Sequence, residues 1–223
     1  MSASSTPANP REAARKRTVF LVQFAVLLAL EAIVCFVPIL GSIPFTPVVV
    51  ATLSHIPVIL TAVLLGPAAG AGMGFFFGLF SFLVHSFQLP GVVSFIFTPL
   101  MPVPGSDAGN PLSLLVCFVP RILIGVTAGY LYKLLEKTPK PLSMSAAAIV
   151  GSLTNTLFVT LGVYLFFLKD VAAVFPVLND AKGFIAFLVA FVGVNGLMEV
   201  AVAVVLTAPV CVEVNRASPG GRS

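Results

Sequence analysis

Six long apolar stretches constrain this chain more than any other feature. They cover residues 18–38, 49–65, 68–87, 111–135, 143–168 and 183–212. Each is close to or longer than the about 20 residues that a helix needs to cross the hydrocarbon core of a bilayer. Charged residues make up only 9% of the chain, against about 25% in soluble domains. We therefore predict an all-α integral membrane domain of six transmembrane helices over 18–212.

The basic residues predict the orientation of these spans, since cytoplasmic loops are enriched in Lys and Arg. With six spans and both termini inside, the outer side carries only Lys169 and Lys182 between spans. The inner side then receives three clusters: Arg11, Arg15, Lys16 and Arg17; Lys133, Lys137 and Lys140; and Arg216 and Arg222. Five or seven spans would put one cluster on the wrong side. We expect a disordered cytoplasmic tail over 1–17 and a second cytoplasmic tail over 213–223.

Two connections on the predicted outer side, 34–45 and 88–110, are apolar and rich in proline. Solvated loops are usually polar. These segments therefore suggest either a lid packed over the outer end of the bundle or partial burial at the headgroup boundary.

Small residues recur at a four-residue spacing within the predicted helices. Gly70, Gly74 and Gly78 lie on one face of the third helix, and Gly125 and Gly129 repeat the spacing on the fourth. Small residues at this spacing let helix backbones approach closely. We expect these glycines to mark a tight helix–helix contact.

Ala25 and Ala29 form a similar step on the first helix. This step fits either packing inside the bundle or a surface for a partner helix. Glu31 is two positions from Ala29 and so lies about 200° around the helix. If the alanines face outward, Glu31 faces the interior.

Polar groups within spans are costly, and they usually face a cavity or one another. The candidates are Glu31, His55, His85, Arg121, Asn155, Asn195 and Glu199. Under the predicted topology almost all of them lie at or above the midplane, with His55 near the outer start of the second helix. This distribution predicts a cup open to the outside.

Arg121 is the candidate centre of this site, since a planar guanidinium suits a carboxylate ligand. The alternative is a buried ion pair with Glu199, which shares a helix face with Asn195. Asn155 and Asn195 fit either a ligand contact or an interhelical hydrogen bond. His55 and His85 are further candidate ligand residues, or they cap helices at the interface.

The sequence argues against an enzyme and against a nucleic-acid partner. Cys35, Cys117 and Cys211 lie singly in apolar runs, so we expect no metal site and no cofactor. The chain contains neither Gly-x-Ser-x-Gly nor His-Glu-x-x-His. Its net charge of +4 is explained by the membrane topology.

Several stretches together resemble the substrate-binding S component of energy-coupling factor (ECF) vitamin transporters. They are HIPVI at 55–59, LGP at 65–67, FFGLFS at 76–81, PRILIG at 120–125, GSLTNT at 151–156, and Asn195-Gly196 followed by Glu199. The resemblance implies a six-helix protein of the bacterial cell membrane that binds a vitamin from outside, in a cavity formed by the last three helices and the outer loops. It also implies as partners an ECF transmembrane subunit (EcfT), which Ala25 and Ala29 would contact, and two ABC ATPase subunits. No Walker motif occurs in this chain.

The stretches at 120–125 and 151–156 look most like pantothenate-type S components. A cavity arginine suits that anionic vitamin, while folate and riboflavin remain open. The main alternative is a stand-alone secondary transporter of a small organic anion. That class predicts paired repeats and polar groups on both sides of the midplane, and neither is clear here.

Overall fold

The structure, a computed structural model, describes residues 10–37, 42–44, 50–176, 200–201 and 204–205. Its helices are α1 (Pro10–Phe36), α2 (Ile56–Leu65), α3 (Pro67–Leu83), α4 (Ser113–Leu134) and α5 (Lys140–Val174). A π-helical turn, Val84–Gln88, continues α3, and a 3-10 turn, Ser94–Ile96, lies in the connection to α4. Within these ranges the fold is helical, apart from the antiparallel pair of three-residue strands β1 (Ser42–Pro44) and β2 (Val50–Thr52).

Four of the described helices are long and apolar enough to cross a membrane: α1, α3 with its π-turn, α4 and α5. They match four of the predicted spans. Helix α5 is longer than predicted, and its 35 residues would extend about 52 Å. It therefore tilts or projects beyond a hydrocarbon core about 30 Å thick. The predicted span 183–212 lies almost entirely outside the described residues, although Val204 packs against the core.

The second predicted span, 49–65, is wrong as a continuous helix. Its first part forms β2, and only the ten residues of α2 are helical, too few to cross a bilayer. Pro57 lies in the first turn of α2, where a missing N–H costs nothing. Gly66 ends this helix with a φ of +98°, which favours glycine, and Pro67 begins the next helix.

The prediction of a disordered tail over 1–17 is wrong for residues 10–17, which belong to α1. Pro10 begins this helix, as proline favours the first helical position. The Glu12 carboxylate and the Lys16 ammonium pair one turn apart at 2.9 Å, which adds local support. Residues 1–9 and the predicted C-terminal tail lie outside the described residues.

The predicted glycine contact joins α3 to α4. A methyl group added at Gly74 would overlap the carbonyl of Arg121, and one at Gly125 would overlap the backbone of Gly70. Gly129 likewise lies against Pro67. The two backbones therefore touch along several turns, as the spacing predicts.

Two apolar clusters of buried side chains fill the bundle. The first joins α2, α3, α4 and α5, and its fully buried members include Ile59, Met73, Ile124 and Ala147. The second lies toward the start of α4, where Phe95 of the 3-10 turn packs with Val116, Val159 and Phe167. The middle of the 88–110 connection therefore packs onto the helices, as the lid alternative requires, whereas residues 88–92 are exposed.

Glycine at position 74 is testable with a matched pair of substitutions. Gly74→Ala would drive a methyl group into the Arg121 carbonyl, and we expect it to destabilise the protein by about 1–3 kcal/mol. Gly72→Ala is the control, because its nearest neighbour would be the Phe24 ring at an ordinary 3.9 Å. The measurement is the thermal unfolding midpoint in detergent. Equal midpoints for the two variants would contradict the tight crossing.

Candidate functional site

Arg121 lies in α4 and is only 6% exposed. Its guanidinium Nη1 donates to the Val116 carbonyl at 2.8 Å. The guanidinium carbon lies 5.4 Å from the ring centroid of Phe77 on α3 and 4.9 Å from that of Phe97 in the connection to α4. Both rings are within cation–π range. The structure thus places a buried positive charge between two aromatic side chains.

His85 approaches the same cluster from the end of α3. Its ring stacks on Phe97 with centroids 4.7 Å apart, and its Nδ1 lies 3.2 Å from the hydroxyl of Ser94. The π-helical turn Val84–Gln88 carries His85. Such turns occur frequently at functional sites. Arg121 and His85, predicted from separate helices, are therefore joined through Phe97.

The segment that carries Phe97 is fixed by hydrogen bonds. Ser86 donates to the Thr98 hydroxyl at 2.7 Å, and that hydroxyl also accepts the backbone N–H of Leu100. The Ser94 hydroxyl accepts the backbone N–H of Gly91 at 2.8 Å. These contacts hold the connection against the π-turn, so the Phe97 ring has a defined position beside the guanidinium.

His55 and Asn155 belong to a second group of buried polar side chains. His55 is fully buried at the start of α2, and its Nε2 lies 2.8 Å from the Ser152 hydroxyl of α5. Asn155 is one turn further along α5 and is 8% exposed. Within the described chain, its Oδ1 has no hydrogen-bond partner.

His55 stands immediately before α2, at the start of the second helix as predicted, although that helix has only ten residues. Its side chain meets that of Ser152, which lies about 18 Å along α5 from Lys140.

The faces of α1 agree with the angular argument from the sequence. Ala25 and Ala29 are exposed, whereas Glu31 is fully buried. One Glu31 carboxylate oxygen accepts from the Cys35 thiol at 3.3 Å. The alanine step therefore faces away from the described bundle, as either lipid contact or a partner surface requires.

Asn195 and Glu199, the remaining predicted ligand residues, lie outside the described residues. The structure thus neither joins Glu199 to Arg121 nor separates them. Across the described ranges, no three His, Cys, Asp or Glu side chains are grouped to hold a metal ion. A groove of about 210 Å³ between α4 and α5 is lined by apolar side chains such as Val119, Leu161 and Phe166. None of the predicted ligand residues that the structure describes lines it.

Several residues of the site were missed in the sequence. Phe77, Phe97 and Ser94 contact Arg121 or His85, and Ser152 contacts His55. Phe77 and Ser152 stand inside stretches that carried the family resemblance, which was the available signal. Phe97 and Ser94 stand in a connection whose path no periodic pattern describes.

The chain is similar in sequence and in fold to known transport proteins. The family model of the ECF transporter substrate-specific component matches residues 19–211. The chain is 32% identical over 190 residues to the pantothenic acid transporter PanT of Lactococcus lactis subsp. cremoris (strain MG1363), covering 85% of this chain and 88% of that relative. A solved S component of a bacterial ECF transporter matches with a TM-score of 0.53 and 17% identity, over 89% of this chain and 98% of that one.

The chain therefore belongs to the family of substrate-specific components of ECF transporters. It is a multi-pass membrane protein and a transport component rather than an enzyme. The family resemblance predicted from the sequence is confirmed.

The contact between His55 and Ser152 makes a further prediction. Ser152→Ala removes a buried hydrogen-bond partner of the imidazole, and we expect a loss of about 1–3 kcal/mol in unfolding free energy. Ser145→Ala on the same helix is the control, since that hydroxyl bonds the Pro141 carbonyl one turn back in its own helix. Denaturation in detergent measures both. If Ser152→Ala is as stable as Ser145→Ala, the contact between His55 and Ser152 does not stabilise the protein.

Proposed function

We propose that this chain binds pantothenate from outside a bacterial cell membrane and delivers it to an ECF transporter. The buried guanidinium of Arg121 carries the proposal. A positive charge in a site of low dielectric constant attracts an anion far more strongly than it would in water. The relative named as a pantothenic acid transporter, at 32% identity, supports this vitamin among the carboxylates.

The chemistry of the cluster suits a small, partly apolar carboxylate. The guanidinium offers paired N–H donors in the geometry of a carboxylate. Phe77 and Phe97 supply apolar walls beside it. By the sequence prediction, Asn155, Asn195, Glu199, His55 and His85 contribute further polar contacts to the bound molecule.

We propose six spans with both termini in the cytoplasm, the second of them formed by β2 and the short helix α2 together. Lys133 near the end of α4 and Lys140 at the start of α5 bracket a short connection. The basic residues at the start of α1 belong on the same side by the positive-inside rule. This orientation puts the Phe97 connection outside, where an external ligand would arrive.

We further propose that the chain works with EcfT and two ABC ATPase subunits, as its family implies. The exposed Ala25–Ala29 step of α1 is the proposed contact with EcfT. Small exposed residues at this spacing allow a second helix to approach closely.

The ligand proposal is tested by binding to the purified protein in detergent. Pantothenate at 100 times its Kd should stabilise the protein by about 2.7 kcal/mol, whereas folate and riboflavin should not. Arg121→Ala should weaken pantothenate binding by about 100-fold, since it removes the buried cation. Arg121→Lys should recover only part of this loss, because an ammonium lacks the fork geometry.

Arg17→Ala removes an exposed arginine and is the control for charge alone. Ligand-free melting of each variant separates lost binding from lost folding. If pantothenate does not stabilise the unmodified protein, the proposed substrate is refuted. If folate or riboflavin stabilises it instead, that vitamin becomes the proposed substrate.

The partner surface is tested by adding bulk at position 29. Ala29→Leu should leave pantothenate binding unchanged, yet reduce uptake by cells expressing the complete transporter by about tenfold or more, because a larger side chain separates the helices. Gln23→Leu is the control, since Gln23 is exposed on the same helix but not on the face of Ala25 and Ala29. Normal uptake by Ala29→Leu would argue against this surface.

A further inference from the structure

Pro120 interrupts the hydrogen-bond pattern of α4 at a buried position. In an α-helix the N–H of each residue donates to the carbonyl four residues earlier. Proline has no N–H, so the Val116 carbonyl cannot receive its usual helical donor. Val116 is only 2% exposed, and a buried carbonyl without a donor is costly.

The residue next to Pro120 supplies the missing donor. Arg121 turns its guanidinium back along the helix, and Nη1 donates to the Val116 carbonyl at 2.8 Å. The Val116 carbonyl that Pro120 leaves without a backbone donor is thus bonded by the side chain of the next residue, Arg121. This contact fixes one end of the guanidinium, while the rings of Phe77 and Phe97 lie near its carbon.

We propose that Pro120 is a positioning residue for Arg121. By releasing the Val116 carbonyl, the proline provides the acceptor that sets the guanidinium orientation for a carboxylate ligand. This inference rests on the proposed function only where it concerns the ligand. The orientation of the guanidinium is a property of the protein alone and is measurable without one.

The competing explanation is that Pro120 acts only on the shape of α4. Proline inside a helix bends it, and a bend would affect every ligand contact alike. Positioning of one charged group would affect only ligands that carry the complementary charge. The two explanations therefore differ in ligand selectivity rather than in overall affinity.

Pro120→Ala tests this difference. The new N–H at position 120 would draw the Val116 carbonyl back into the helical pattern and compete with the guanidinium. We expect the affinity for pantothenate to fall by about three- to tenfold, and that for panthenol, the alcohol analogue without the carboxylate, to stay the same. Pro141→Ala is the control, because Pro141 is exposed in the first turn of α5. The N–H groups of a first turn have no partner within the helix, so a proline there removes no helical hydrogen bond.

A ligand-free measurement accompanies the binding assay. With ¹⁵N-arginine labelling, the guanidinium resonances of Arg121 can be assigned by their loss in Arg121→Lys. Pro120→Ala should shift these resonances or speed up rotation of the guanidinium, and Pro141→Ala should leave them unchanged. Melting of the ligand-free variants checks that each is folded.

Each result decides the inference. A selective loss of pantothenate affinity with altered resonances supports it. Equal loss for pantothenate and panthenol, or unaltered resonances, overturns it. If the unmodified protein binds neither compound, the proposed function fails, and the resonances alone then support or overturn the positioning role of Pro120.

Discussion

The crossing of α3 and α4 is the contact on which the position of Arg121 depends. Helices in lipid gain little from the hydrophobic effect, so they associate through close packing and internal hydrogen bonds. Here the absence of a side chain at Gly74 lets α3 touch the carbonyl of Arg121 itself. Phe77 follows Gly74 by one turn on α3, and its ring therefore lies beside the guanidinium. One glycine contact thus places both the charge and one of its aromatic neighbours.

The second aromatic neighbour comes from a different kind of structure. Phe97 stands in an irregular connection, which is tolerated near lipid only where protein surrounds it and its backbone groups are bonded. The hydroxyls of Ser94 and Thr98 accept the backbone N–H groups of Gly91 and Leu100. The same hydroxyls also contact His85 and Ser86. A buried polar network with its members paired is rigid. The connection therefore acts as a fixed wall of the site in the described structure.

The sequence predicted the long helices well and the irregular parts poorly, for a physical reason. Apolar length identifies α1, α3, α4 and α5, because lipid exposure leaves few other solutions. The same signal failed at residues 50–55, since periodicity alone does not distinguish a short apolar strand from a helical segment. The opposite facing of Ala29 and Glu31 was predicted correctly, because it depends only on the 3.6-residue period of a helix. The position of Phe97 could not be predicted in this way, because it depends on the path of a connection, and that path is set by tertiary contacts alone.

The packing on the Lys133 side of Arg121 bears on how the proposed ligand would leave. Between Arg121 and the Lys133 end of α4 lie Ile124 and Ala128, both fully buried. Met73 and Ala147 pack against them from α3 and α5. Opening a path through this cluster would separate helices whose backbones already touch at Gly70 and Gly125, at a large cost in packing. Release between these helices is therefore disfavoured. Movement of the whole domain relative to the membrane would leave both the crossing and the core intact.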